Sequence, residues 1–429
     1  MTANIKAKAS KLKSAAIKAR GKPSALARAV KKSRPVAKAK GGVKKARPAA
    51  NVKFKKSART PKAAPAKSPA RAAKKAAPAK PKAIARRVLK KAVKVSLKKT
   101  AKPSANKRKP AATPKGSAPK KRTAKTPLIT VLCGGCSSER EVSLVSGQKI
   151  FEALAAQFEA VLRVLDAHVL PEDLDPAQTV IFPAFHGTWG EDGGVQTLLE
   201  SRGFAYAGCG PLSSARCMDK IQTKAAARAC ALPVVDEIFF EASAKPAAQD
   251  VVARLGDAVV VKPVDEGSSV GLHMVQGAAE LEKIFGQIAN GRWMIEPRIV
   301  GREFAVGVLD GAAMGIVEIV PTGGVYDYAH KYTPGSTRYE FPAKLDDQTA
   351  RRMRAAAQTA FAACECRDFS RVDFMMDGRG QFYLLEINTI PGLTATSLLP
   401  KSASCSGLDF PALAKRMVEP AIARWRKRR

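Results

Sequence analysis

Ala258-Val-Val-Val-Lys262-Pro-Val-Asp-Glu266-Gly-Ser-Ser-Val-Gly271-Leu-His-Met-Val275 is a β-branched run ending on a lysine, then a Gly/Ser loop, then a second apolar run. It predicts two strands joined by a loop whose backbone N–H groups and hydroxyls can cover phosphates, with the lysine ammonium as a point charge. The complementary part lies near the C-terminus, where Asp373 on one predicted strand and Glu386 and Asn388 on the next offer hard oxygen ligands. Alternation along a strand puts Glu386 and Asn388 on one face, a layout suited to Mg2+. A merely solvated face would not favour acids inside the apolar runs Phe374-Met-Met and Tyr383-Leu-Leu.

Other nucleotide and nucleophile motifs are absent or out of context. No G-x-x-x-x-G-K-S/T occurs, and Gly208-Cys-Gly210 lacks the third glycine of a dinucleotide fingerprint. Gly267-Ser-Ser269-Val-Gly271 fits the G-x-S-x-G of a nucleophile elbow, but an elbow needs a helix after it and Leu272-His-Met-Val275 reads as a strand. Working outward, strands are predicted at 128–132, 161–165, 179–183, 234–240, 258–262, 293–296, 303–309, 314–320, 369–376 and 381–387. Helices are predicted at 143–155, 194–202, 213–231, 278–288 and 346–363. The order argues an α/β part followed by an α+β part.

Charge divides the 429-residue chain, which carries 75 Lys and Arg against 36 Asp and Glu. Of the basic residues 43 precede Pro127 and no acidic one does, leaving 32 basic and 36 acidic residues, a net charge near −4, in the remainder. Residues 1–126, rich in Lys, Ala, Pro and Ser with Phe54 as the sole aromatic, cannot bury enough apolar surface to offset chain entropy and are expected to be disordered. Prolines from Pro23 to Pro81 recur too often for a long helix, although 84–99 has helical apolar spacing that a polyanion could order. The segment resembles the Lys/Ala/Pro-rich tails of bacterial linker-histone-like proteins. Three readings of it stay open: binding of nucleic acid or another polyanion, a solvated extension from an upstream start codon, and a targeting peptide, for which it is too long and too rich in Lys and Pro.

Eight scattered cysteines, no apolar signal segment and no run of 18 apolar residues lead to the expectation of a cytoplasmic protein without membrane insertion. Cys133-Gly-Gly-Cys136 has redox or zinc spacing but no second Cys/His pair, so two small residues in a strand-to-helix turn is the better reading.

Read together, Glu139-Arg-Glu-Val-Ser143, Phe185-His-Gly187, Gly190-Glu-Asp-Gly193, Met218-Asp-Lys220, Val261-Lys-Pro263, Glu266-Gly-Ser-Ser-Val-Gly271, Tyr326-Asp-Tyr328, Lys331-Tyr332, Arg371-Val-Asp373 and Glu386-Ile-Asn-Thr-Ile-Pro-Gly392 resemble the D-alanine:D-alanine ligases of the ATP-grasp superfamily. The resemblance runs in order over 128–400. It implies a Rossmann-like N-terminal α/β domain (127–219), a small central ATP-grasp subdomain (220–302) and a C-terminal ATP-grasp subdomain (303–429), behind the tail of 1–126. It also implies that ATP phosphorylates the carboxylate of one D-alanine and that the amine of a second attacks the acyl phosphate. The family is commonly dimeric.

Carried onto this sequence, the resemblance places Lys220 and Lys262 on the ATP phosphates, the loop from Glu266 to Ser268 and Ser269 over them, Glu296 to Ile299 against adenine, and Glu303 on the ribose. Asp373, Glu386 and Asn388 would hold two Mg2+ ions, which Mn2+ could replace. Glu139 would pair with the first D-alanine's ammonium beside His186, in a network with Ser268 and Tyr332. Arg371 and the Gly392 N–H would form the oxyanion site, and Lys331, Ser397 and Leu398 would hold the second D-alanine, under a lid at 325–341. Blander roles stay open: His186 as a satisfied core histidine, Glu139 as a helix cap, Arg371 as a partner of a nearby carboxylate. Pro297 and Arg298 in the adenine hinge, and Cys136 for a small hydroxyl residue, depart from the usual pattern. Relatives that make D-alanine–D-lactate carry another side chain where Tyr332 stands, so dipeptide formation is expected. Two rival functions are another ATP-grasp carboxylate–amine ligase and a polyanion-binding protein with a degenerate ATP-grasp part.

Overall fold

In the computed structural model, residues 126–267, 269–321, 337–394 and 396–429 are described. Strand β1 (Leu128–Gly134) pairs in parallel with β2 (Ala160–Leu165) and β3 (Thr179–Pro183), and β3 with β4 (Ala205–Tyr206), in the order β2-β1-β3-β4. Every residue of β3 is buried, as a parallel strand covered on both faces requires. Helix α1 (Arg140–Ala155) follows β1 through a turn at Gly134, whose φ of 95° and 2.5 Å approach to the Leu165 carbonyl by any added Cβ leave room only for glycine.

Helices α2 (Gly194–Ser201), α3 (Pro211–Met218) and α4 (Lys220–Ala229) come next. The single helix predicted over 213–231 is thus two. Asp219 breaks it in extended conformation (φ −82°, ψ 106°) because its carboxylate caps α4, accepting from the N–H groups of Ile221 and Gln222.

A second, antiparallel sheet has the order β5 (Ile238–Glu241), β8 (Arg292–Pro297), β6 (Ala258–Pro263), β7 (His273–Gln276), with α5 (Ala248–Leu255) and α6 (Ala278–Gln287) on one face. The strand predicted at 234–240 begins only at Ile238. Val259, Val261 and Ile295 point to those helices. Period-2 alternation therefore turns Val260, Lys262 and Glu296 to the opposite face.

The third sheet is antiparallel, ordered β11 (Thr337–Glu340), β10 (Ala312–Pro321), β9 (Gly301–Leu309), β12 (Phe369–Asp377), β13 (Phe382–Asn388). Helix α7 (Asp347–Ala363) buries Met353, Ala357 and Phe361 against Phe304, Val306, Val372 and Phe374. The short α8 (Leu398–Ser404) lies by the other face. Finally α9 (Phe410–Lys427) returns to the first sheet, where Leu413, Met417, Ala421 and Trp425 join Ile129, Val131 and Ile150 in one core. Arg424 locks it there, reaching both oxygens of Asp368 and the Tyr206 carbonyl. Among the described residues no helix is long and apolar enough to cross a membrane.

Candidate active site

Residues from the three sheets and the segments next to them meet around one cavity of about 810 Å3. From the segments that follow β1 and β3 come Glu139 and His186; from α4, the second sheet and its connecting loops, Lys220, Lys262, Glu266, Ser269, Glu296 and Ile299; from the third sheet, Glu303, Arg371, Asp373, Glu386 and Asn388; and from the turn after β13 and the start of α8, Gly392, Ser397 and Leu398. The sequence-predicted residues Ser268, Lys331 and Tyr332, the tail up to 125 and the part of the proposed lid at 325–336 lie outside the described residues. The last part of that lid, from Thr337, is the edge strand β11, paired to β10 at Glu318 and Glu340. Those four residues are strand, not loop.

A bulge aims the acidic face. On β13 Phe382 and Leu384 point into the α7 core, and strict alternation would send Glu386 after them. The register shifts between Asp373 and Phe374, leaving Leu385 as an extra residue, so Glu386 and Asn388 turn to the cavity and Ile387 to the core. Asp373 then faces Glu386 across the ladder, and Asn388 Nδ2 donates to Asp373 Oδ2 (3.1 Å) and Glu386 Oε1 (3.4 Å). Arg371 holds Asp373 with two parallel bonds of 2.8 and 2.7 Å, so it does pair with a nearby carboxylate. Among the described residues no three His, Cys, Asp or Glu form a metal cluster. Two carboxylates and an amide oxygen, once the amide turns over, still fit Mg2+, which keeps water and phosphate oxygens in its shell.

The two lysines differ in setting. Lys220 is buried and donates to the Glu266 carbonyl at 2.6 Å, with Glu386 Oε2 at 4.0 Å. Burial pushes its ammonium below the ordinary lysine value, against the pull of Glu386, and Lys262 adds to the lowering. Lys262 Nζ sits 2.5 Å from Glu296 Oε2, whose other oxygen is taken by Lys224. Lys224 Nζ is in turn 2.9 Å from Glu237 Oε2, which Arg228 closes from outside. Burial would raise the Glu296 carboxyl, but Lys262 and Lys224 together bring it down to about 2. Sequence reasoning missed Lys224 and Glu237. The signal was the i, i+4 spacing of Lys220 and Lys224, which sets both on one face of α4.

At the other end, Glu139 stands at the N-cap position of α1, yet its side chain makes no cap hydrogen bond. Its Oε2 lies 3.0 Å from where a Gly187 Cβ would be and 3.7 Å from that of Gly267, so the carboxylate stands between the His186–Gly187 turn and the loop that follows β6. His186 is buried, its Nε2 3.0 Å from Ser146 Oγ and its Nδ1 3.9 Å from Glu191 Oε1. It is thus satisfied and also at the cavity wall. Ser146 and Glu191 were not singled out in sequence, though Glu191 sits in the quoted Gly190-Glu-Asp-Gly193. Near Gly392, Ser397 Oγ accepts from Thr394 N at 3.1 Å. Buried Lys401 anchors the same turn through the Thr396 carbonyl and lies 4.7 Å over the Tyr339 ring.

The elbow reading fails, because the segment after Gly271 is strand β7. Cys133 and Cys136 are free thiols beside the β1–α1 turn, Cys136 Sγ lying 3.2 Å from the Asp166 carbonyl.

The family model described as D-ala D-ala ligase C-terminus matches residues 227–419. The D-alanine–D-alanine ligase of Anaeromyxobacter dehalogenans (strain 2CP-C) is 44% identical over 296 residues, covering 68% of this chain and 96% of that protein. The crystal structure of the Bacillus anthracis D-alanine–D-alanine ligase complexed with ATP is similar with a TM-score of 0.62 at 31% identity, covering 71% of this chain and all (100%) of that one. The VanG D-Ala:D-Ser ligase from Enterococcus faecalis gives a TM-score of 0.61 at 27% identity, over 70% of this chain and 100% of that one. With nearly the full length of such a relative matched at this identity and the same fold beneath it, the chain belongs to the D-alanine–D-alanine ligase family.

Proposed function

We propose that this chain joins two D-alanine molecules into D-alanyl-D-alanine for peptidoglycan precursors, with ATP converted to ADP and phosphate. The carboxylate of the first D-alanine takes the γ-phosphoryl group, and the amine of the second displaces phosphate from the D-alanyl phosphate. What carries the reading is that a single cavity collects Lys220 and Lys262, the Asp373–Glu386–Asn388 face and the Glu139–His186 corner.

In this reading Lys220 and Lys262 hold the phosphates, with Glu266, Ser268 and Ser269 over them. Glu296 to Ile299 receive adenine and Glu303 the ribose. Glu139 fixes the first ammonium beside His186, with Ser268 and Tyr332. Arg371 and the Gly392 N–H stabilise the developing oxyanion, and Lys331, Ser397 and Leu398 seat the second D-alanine. Asp373, Glu386 and Asn388 would hold two Mg2+ ions, or Mn2+ in their place, whose charge offsets that of the phosphates during transfer. Residues 127–219 form the Rossmann-like domain for the first substrate, 220–302 and 303–429 close on the nucleotide, and two chains associate as a homodimer. The basic segment 1–126 is assigned to nucleic acid or another polyanion, because 43 Lys and Arg stand there with no acid.

The test is phosphate release and dipeptide formation by purified protein with ATP, Mg2+ and D-alanine. Release that is greater with another amino acid would replace D-alanine by that substrate, and no release with any would remove the ligase reading.

A further inference from the structure

Away from the cavity, cysteines from three parts of the chain converge where α3 meets the turn ahead of β12. Cys217 Sγ lies 3.6 Å from Cys366 Sγ, and Ser213 Oγ lies 3.5 Å from the same sulfur. Cys209, buried beside them, points its Sγ at the Arg367 carbonyl, and Cys364 adjoins Cys217. All are free thiols, and the proposed ligation uses none of them. Cys217 is buried, whereas Cys366 is partly exposed and is the more open of the two residues. We propose that Cys366 and Cys217 form a reversible oxidation site whose substrate is a peroxide, with Cys366 as the attacking thiolate and Cys217 as the resolving thiol.

The surroundings give the two thiols different roles. Hydrogen bonds from Cys209 and Cys217 hold the Cys366 thiol well below its ordinary value despite burial, and Ser213 and the Arg216 guanidinium act in the same direction. Hydrogen bonding to Cys364 and Cys366, and then burial, keep the Cys217 proton in place. The Cys366 thiol releases its proton to solvent, and the thiolate attacks one oxygen of hydrogen peroxide and breaks the O–O bond, giving a sulfenic acid and hydroxide, which takes a proton back from solvent and leaves as water. Cys217 Sγ then attacks the sulfenic sulfur. Hydroxide leaves with the Cys217 proton as a second water, and the S–S bond forms. Two thiols lose two electrons and two protons, and a dithiol reductant returns them.

Closing the bond brings the sulfurs from 3.6 Å to about 2.05 Å. Cys217 is the penultimate residue of α3, directly before Met218, Asp219 and Lys220, and Cys366 lies just ahead of β12. The closure therefore pulls on the turn that presents Lys220. If the site is the ATP site proposed above, nucleotide affinity falls on oxidation.

Full-length protein carrying Cys136→Ser and Cys230→Ser, which removes two exposed thiols, is treated with hydrogen peroxide and mapped by mass spectrometry. The expected result is a loss of about 2 Da and one cross-linked peptide pair holding Cys217 and Cys366, both reversed by dithiothreitol. Adding Cys217→Ser stops the reaction at a Cys366 sulfenic acid that dimedone captures. Both thiols remaining open to alkylation after peroxide, or a disulfide mapped to Cys209 instead, overturns the assignment even if the Cys217→Ser protein misfolds, because the mapping is made on protein that keeps Cys217 and Cys366 and is repeated on the unsubstituted chain. ATP binding is then measured on the mapped, oxidised protein. Binding severalfold weaker and restored by reductant supports the link to Lys220, and unchanged binding overturns that link while leaving the disulfide intact.

Discussion

Asp373 faces Glu386 across the β12–β13 ladder, with the Asn388 amide reaching both carboxylates. Two acids this close are tolerated because Arg371 takes Asp373 and Lys220 stands 4.0 Å from Glu386. Asp373→Asn and Glu386→Gln keep the shape and remove one negative charge each. We expect each to lower kcat/KM for dipeptide synthesis by about a hundredfold or more, while unfolding free energy moves by no more than about 2 kcal/mol. Steady-state kinetics at several Mg2+ concentrations, with denaturation curves beside them, check both halves. Dipeptide synthesis at the wild-type rate in either variant would end the catalytic assignment.

Lys224, 1% exposed, is shared by Glu296 and Glu237 beneath the Lys262 end of the cavity. Lys224→Met leaves Glu296 to Lys262 and Glu237 to Arg228, with one cation fewer among buried acids. Removing one partner from such a set costs about 3–5 kcal/mol. Because Glu296 is then held by one lysine, KM for ATP should rise while KM for D-alanine stays close to wild type. Equal rises in both would point to a general loosening of the fold, and Lys224→Arg, which restores the charge, should recover part of the ATP effect.

Glu296 also sets a pH dependence. Burial opposes its charge, but Lys262 and Lys224 prevail and hold it at about 2, against 4.5 for the free side chain. A depressed carboxyl stabilises the fold above the unfolded value and loses that contribution as pH falls through the folded one. The window is thus pH 4.5 down to 2, and the size is about 3 kcal/mol. Urea midpoints across that window should fall more steeply for wild type than for Glu296→Gln. Parallel curves would assign the acid sensitivity to other carboxylates.

How far the site can be read from sequence differs from residue to residue. Lys262 is legible because alternation from Val259 and Val261 fixes its face, and the strand is continuous. Glu386 is not derivable that way: its aim depends on the extra Leu385, and a bulge leaves no mark in the run Phe382-Tyr-Leu-Leu-Glu386. The α3–α4 break hides for a related reason, since Asp219 within Arg216-Cys-Met-Asp-Lys220 looks like a tolerable helix residue until its cap and its 2.8 Å bond to Arg292 are seen. Helix α9 has the apolar spacing Leu413, Met417, Ala421, Trp425, masked by Pro420 and five basic neighbours, Lys415, Arg416, Arg424, Arg426 and Lys427. Lys224 reads as a solvated lysine because its partners lie on distant segments.

Tyr332, outside the described residues, carries the expectation that the second substrate is an amine. Replacing the second D-alanine by D-lactate at neutral pH offers a hydroxyl in place of the amine. Dipeptide formation should persist when D-alanine and D-lactate compete, with little D-alanine–D-lactate. Depsipeptide formed at a rate comparable to dipeptide would overturn the expectation.

The basic segment should act separately from the ligase. With 43 cationic side chains and no acid ahead of Pro127, binding to a duplex releases many counterions, so affinity should fall steeply with salt. A protein beginning at Pro127 has a net charge near −4 and loses that driving force. Full-length protein is expected to retard a DNA fragment at low salt and release it as salt rises, while the shortened protein leaves mobility unchanged and keeps its ligase activity. Heparin should compete, since the attraction is to phosphate or sulfate density and not to base sequence. Equal mobility with both proteins at low salt would reject a polyanion role. Loss of ligation on shortening would instead tie the segment to catalysis.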